Sequence, residues 1–281
     1  MALASQGFVV NKLTISQILA ELPKENGLLK ENYFKDQLYG HVLGIGWNKI
    51  EFHRDFCRYA GLIETAKISG EFKLSPLGEI IRRHDPNLSD LATWWFIHTN
   101  LVLDKETNVY SALFCNLSHR TLSKEEIAVE INSLLGSNVS TAVLKKDVDA
   151  ILRWFADSPL GSLGTFVTDG KNWKRRKPSR TPDPYVIAYA ALELHRRNKR
   201  HSTSSKISEL IKGANSLYCV FHIDEGDLKA GLRQAQSLLS SEFLAVSDTA
   251  GLDTVYFGNK QSSDIAEKYY TSRKQFESSA S

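Results

Sequence analysis

No apolar stretch in the sequence approaches the roughly 20 residues needed to cross a bilayer. The longest, Trp94 to Leu103, is interrupted by His98, Thr99 and Asn100. The N-terminus lacks the basic segment and the continuous apolar segment of a secretory signal. Cysteine is scarce. Cys57, Cys115 and Cys219 lie far apart and form no CxxC pair, which argues against a cysteine zinc site and for a thiol-reducing, cytoplasmic setting. Common catalytic motifs are also missing. There is no HExxH or HxxxH pair, no GxxxxGK[ST] phosphate loop and no nucleophile elbow, so the chain is not expected to do ATP-driven work alone.

What is present is an ordinary globular composition with an uneven charge. A hydrophobic content of 42% over 281 residues supports a real core, in one large or two to three small domains. The net charge is only +3, but eleven basic residues between Lys171 and Lys206 face only Asp183 and Glu193. That segment therefore carries +9 and the remainder −6. A local field of this kind steers a polyanion, whatever the whole-chain charge.

Hydrophobic spacing predicts a mainly α fold with small β-hairpin wings, arranged as repeated winged helix-turn-helix units. Ile15, Ile18, Leu19 and Leu22 have helical spacing, ending near Pro23, and a second helix is expected over Glu31 to Tyr39. Gly44-Ile45-Gly46 reads as a turn before a helix from Trp47 to Ala60, stopped at Gly61. Phe52, Phe56, Cys57 and Ala60 share one face of it, with Trp47, Glu51, Arg54 and Arg58 opposite. Two short strands around a Ser69-Gly70-Glu71 tip follow, then a helix opened by Ser75-Pro76-Leu77-Gly78. Helix, turn, helix, hairpin, helix is the order of a winged helix. A helix apolar around most of its circumference, Thr93 to His98, should be buried.

The order then returns. Ser123 to Glu126 is a capping box, Ser140 caps a helix carrying Leu144, Val148, Ile151, Leu152 and Phe155, and Leu163 to Lys177 makes a basic hairpin. A third pass has a helix from Pro182-Pro184 to about Asn198, then Ile207, Leu210 and Ile211. It ends with Leu228, Leu232, Ala235, Leu238 and Leu239 before a hairpin around Thr249-Ala250-Gly251. The expected domains are 1–84, 85–180 and 181–270, with a frayed tail at 271–281.

The basic hairpin is the leading nucleic-acid candidate. Lys171, Lys174, Arg175, Arg176, Lys177 and Arg180 are free of interspersed acids, and they can neutralise phosphates with counterion release. Trp173 among them is placed to stack on an unpaired base. Arg196 and Arg197 extend the basic segment. On the expected reading helices, Arg54 and Arg58, and then Lys146 and Arg153, can reach bases or phosphates, although Glu51, Asp55 and Asp149 sit beside them. The plainer alternatives are a solvated loop and helix faces of mixed charge, or winged helices that bind only protein. Lys49 and His53 read as packed against the core.

Asp85 and His98, with His84 and Asp90 nearby, are the sole catalytic candidates, and their metal ligands are unknown. Asp90 and His98 would lie about 12 Å apart along one helix, so they share a site only if another segment enters between them. Otherwise Asp85-Pro86 is a helix stop, Asp90 an N-cap and His98 a satisfied buried histidine.

Several motifs in fixed order resemble the SspB family. They are Leu43-Gly44-Ile45-Gly46-Trp47-Asn48-Lys49, Ala60-Gly61-Leu62, Leu74-Ser75-Pro76-Leu77-Gly78, Asp85-Pro86-Asn87-Leu88, Thr93 to His98, and Leu144 to Leu152 followed by Pro159-Leu160. The resemblance covers roughly residues 35–165. It implies a DNA-binding component of a bacterial DNA phosphorothioation and anti-phage system. Expected partners are DNA, a cysteine desulfurase, an ATP-pyrophosphatase-type sulfurtransferase and an ATPase, with no membrane. It further implies a nicking endonuclease that would use Mg²⁺ or Mn²⁺ and open the backbone for sulfur. The residues themselves leave open a non-enzymatic adaptor or regulator, and a homodimer.

Overall fold

The first helix begins where Asn11 turns its side chain onto the backbone amides of Leu13 and Thr14. In the computed structural model this helix, α1, spans Lys12–Glu21 and buries Ile15, Ile18 and Leu19. It ends at an extended Leu22, as a residue preceding Pro23 must. The structure describes residues 7–22, 29–30, 44, 46–65, 71–104, 108–117, 120–136, 140–198, 202–213, 215–248 and 253–279. The helix expected over Glu31 to Tyr39 and the hairpin tips at 69–70 and 249–251 lie outside these residues. Two units divide the chain, Met1–Arg176 and Lys177–Ser281.

In the first unit, β1 (Leu29–Lys30) precedes α2 (Trp47–Tyr59), which buries Phe52, Phe56 and Cys57 as its spacing predicts. Gly61 closes α2 with φ +71, and a Cβ there would stand 2.6 Å from Asn100 Nδ2, so glycine is needed twice over. That same amide donates to Ala60 O at 2.9 Å. β2 (Ile63–Thr65) and β3 (Glu71–Leu74) pair antiparallel with Ile63 opposite Leu74, and β1 adds to the other edge of β3. Ser75 caps α3 (Pro76–His84), with Pro76 at its first position. α4 (Leu91–Leu103) is buried at every position from Ala92 to Leu103.

The sequence reading passes over α5 (Asn108–Cys115) and over β4 (Leu122–Ser123). The capping box of Ser123 and Glu126 opens α6 (Lys124–Leu135), and Gly136 ends it with φ +54. α7 (Thr141–Asp157) follows, capped by Ser140, with Leu144, Val148, Ile151, Leu152 and Phe155 buried. A 3-10 turn at Pro159–Leu163 delays the next strand, so β5 is Phe166–Thr168 rather than starting at Leu163. β6 (Asn172–Arg175) pairs with β5 on one side and β4 on the other. Trp154 of α7 packs 5.6 Å from Phe52 and 5.7 Å from Phe56, so α2 and α7 share one aromatic core. Tyr110, Phe114, Phe155 and Phe166 continue it.

The second unit packs α8 (Pro184–Asn198), buried over most of its length, against α11 (Glu225–Leu238) and α12 (Ser262–Ser279). Between them lie β7 (Ser204–Lys206), α9 (Ile207–Ile211) and α10 (Leu217–Phe221). β8 (Leu244–Ser247) and β9 (Thr254–Phe257) complete a sheet ordered β7-β9-β8. Leu238 is 52% exposed and Leu239 buried, so the apolar face of α11 ends one residue off the expected stripe. α12 continues through most of the stretch read as a frayed tail. The fold is mainly helical with small antiparallel sheets, and each sheet pairs its leading strand with the second strand of a later hairpin. Among the described residues no helix is long and apolar enough to cross a membrane.

Candidate nucleic-acid interface

The basic hairpin is built on the two-residue period of a strand, in which successive side chains face opposite ways. On β6 this period splits the run of cations. Trp173, opposite Leu122 and Thr168, is only 5% exposed, and Arg175 only 2%. The Arg175 guanidinium lies over the Phe114 ring, 5.5 Å from its centroid. Lys171, Lys174 and Arg176 are exposed. Arg176 is tied down through its backbone N–H to Thr165 O at 2.9 Å, and its Nε donates to Gly164 O at 3.1 Å. Trp173 is therefore an anchor in the core rather than a stacking platform, and Arg175 is likewise turned inward. Read as a string of charges, the segment hides this alternation.

In the second unit Lys177 donates to the carboxylates of Asp224, at 2.9 Å, and of Asp227. These acids cap and open α11. Asp224 is held at a pKa of about 2, first by the Asp227 backbone N–H and then by Lys177, whose own pKa is raised by the two carboxylates. Sequence reasoning missed this partner pair, whose signal is an Asp three residues after an N-cap Asp. Arg180 is exposed. Arg196 bonds Gln261 and the Lys260 carbonyl, and Arg197 Nε donates to Glu193 at 3.1 Å.

The two helices of the first unit read from the sequence as reading helices differ sharply. On α2, Arg54 is 7% exposed; it bonds Asp55 at 3.0 Å, approaches Glu51 at 3.6 Å and covers Phe72. The sequence expected it opposite the core, and the sheet closes over it instead. Arg58 lies over Tyr59, 4.3 Å from the ring centroid. His53 is fully buried, accepting from Asn11 N–H at 3.0 Å and bonding Lys49 O at 2.7 Å through Nδ1. Burial lowers its pKa to about 4. On α7, Lys146 is exposed, while Arg153 bonds Asp149 at 3.2 Å and Gly7 O at 3.0 Å. Lys124 also reaches Asp149.

Asp85 and His98 each have a structural role. Asp85 Oδ1 accepts from the Ser89 backbone N–H at 2.8 Å and hydroxyl at 3.0 Å. Its Oδ2 accepts from Asp90 N–H at 3.0 Å and the Thr93 hydroxyl at 2.6 Å. Asp90 caps α4. His98 Nδ1 bonds the Tyr110 phenol at 2.8 Å and sits edge-on to Trp95 and Phe114. Burial raises the Tyr110 pKa, so that phenol keeps its proton. A divalent cation needs several converging oxygen ligands. Among the described residues no three of His, Cys, Asp or Glu are grouped to hold one, and Asp85 with His98 do not fit the role.

Two SspB crystal structures, one of them magnesium ion-bound, share this fold. They match with TM-scores of 0.78 (magnesium-bound) and 0.77 at 19% and 18% identity, over 98% of this chain and 87% of theirs. The fold thus agrees with the SspB resemblance carried by the sequence motifs. No curated protein matches the sequence. A family model described as a protein of unknown function, DUF4007, matches residues 21–270, and the chain belongs to that family.

Proposed function

We propose that the protein is a DNA-binding component of a bacterial DNA phosphorothioation and anti-phage system, working beside a cysteine desulfurase, a sulfurtransferase and an ATPase. Its three sheet-bearing modules are then winged helix-turn-helix units. The observation that carries DNA binding is the hairpin of β5 and β6: Trp173 and Arg175 fix it from within, and Lys171, Lys174 and Arg176 stand outside on a held backbone. An anchored wing presents cations at defined spacing, which a solvated loop does not. The SspB fold supports the choice of system.

The test is duplex binding by fluorescence anisotropy over a salt series. Replacing Lys171, Lys174 and Arg176 together by Ala should lower affinity for every sequence and flatten the log–log salt slope by about 2 to 3, at roughly 0.9 per phosphate contact. An unchanged slope would remove the hairpin from the interface.

A second reading is metal-dependent nicking with Mg²⁺ or Mn²⁺, favoured by the magnesium ion bound in an SspB of the same fold. No reaction step is assigned to Asp85 or His98. Supercoiled plasmid incubated with pure protein and either ion gives open circles on this reading. Their absence across a metal titration leaves the non-enzymatic adaptor that delivers partner enzymes.

A further inference from the structure

We infer that, of the reading helices in the three modules, α7 is the one that enters the DNA major groove, through its first six residues, Thr141 to Lys146; this rests on the DNA-binding reading above. The reason is which helix faces are already occupied. On α2 the central arginine is folded onto its own sheet and held by Glu51 and Asp55. On α11 the first turn is acidic, with Glu225 and Asp227 after the Asp224 cap. Its cations are paired, Lys229 with Glu225 and Asp253, and Arg233 with Asp248. A phosphate-lined groove repels that face.

α7 has no acid in its first turn. Thr141, Ala142, Val143, Lys145 and Lys146 are all exposed, and Val143 leaves 51% of its surface in solvent. Lys145 reaches Glu125, and Lys146 carries no ion pair among the described residues. The outer stripe continues at helical spacing to Asp149 and Arg153, and there it is closed by Lys124 and Gly7. The open length is therefore six residues, about 9 Å of helix. That is close to the depth of a major groove, about 8.5 Å, and spans about three base steps at roughly 3.4 Å each. The side chains suit base edges. The methyls of Ala142 and Val143 match a thymine methyl, Thr141 pairs with either kind of edge, and Lys146 matches guanine acceptors. Lys171 and Lys174 on the following hairpin belong to the same unit and supply phosphate contacts.

Selection from duplexes with a randomised centre tests this, using the full chain and its Thr141→Ala/Val143→Ala variant. Both substitutions are at exposed positions and remove no charge. The wild type should enrich a contiguous motif of about three base pairs, and the variant should lose or change it. Discrimination between motif and non-motif duplexes should fall about tenfold, within the range of one lost base contact, while the salt slope stays the same. The same motif from both proteins overturns the assignment of α7. So does salt-sensitive binding by the wild type with no motif. No binding at any salt overturns the DNA-binding reading as well.

Discussion

His53 joins two helix ends through one imidazole. Its Nε2 must be unprotonated to accept from the Asn11 amide that starts α1. The folded pKa is lowered from 6.5 to about 4 by burial, so the unfolded chain takes up the proton first as pH falls. The group therefore leaves stability intact above pH 6.5, and stability is lost between there and about 4, by up to roughly 3 kcal/mol. Urea unfolding at steps from neutral to acid pH measures this. A His53→Gln variant should show a shallower acid dependence, and an unchanged one would show that other groups set it. The packed histidine was legible in the sequence from its place near the apolar face. Its partner, 42 residues away, was not.

At the scale of elements, the caps were legible and the close approaches were not. Ser75 was recognisable as an N-cap, yet its hydroxyl also donates to Gly61 O at 2.5 Å while accepting from Gly78 N–H at 2.9 Å. Ser75→Ala should cost about 1–2 kcal/mol. Gly78→Ala should cost more than an ordinary helix glycine change, because its Cβ would fall 1.9 Å from the backbone oxygen of Leu62. Denaturant midpoints rank the two. On the hairpin, Trp173→Ala should destabilise the first unit by about 3–5 kcal/mol, as loss of a buried aromatic does. Lys174→Ala at the neighbouring exposed position should leave stability within about 0.5 kcal/mol. Equal effects would contradict the alternation that buries one residue and leaves the other in solvent.

At the scale of the whole molecule, the balance of charge matters more than its sum. The basic segment begins on a hairpin in the first unit and continues into the second, where Lys177 is already engaged by Asp224 and Asp227. On the proposed DNA-binding function, those carboxylates would compete with phosphate for one ammonium. Replacing both by Asn should raise DNA affinity, more at low salt than at high, and steepen the salt slope by about 1. Anisotropy titrations of the full chain read both quantities. A loss of affinity would mean that the acid pair orders Lys177 for DNA rather than withholding it.

The sequence by itself determined the mainly helical class, the helix starts at Ser75, Ser123 and Ser140, the buried stripes of α2 and α7, and an order of motifs that resembles the SspB family. These depend on neighbours within a few residues, and spacing encodes them. Tertiary structure alone decided which charges face solvent. Arg54 and Arg175 look like their exposed neighbours in sequence, but a sheet covers one and an aromatic core receives the other. Burial and partner geometry arise from segments far apart in the chain, and no local pattern records them.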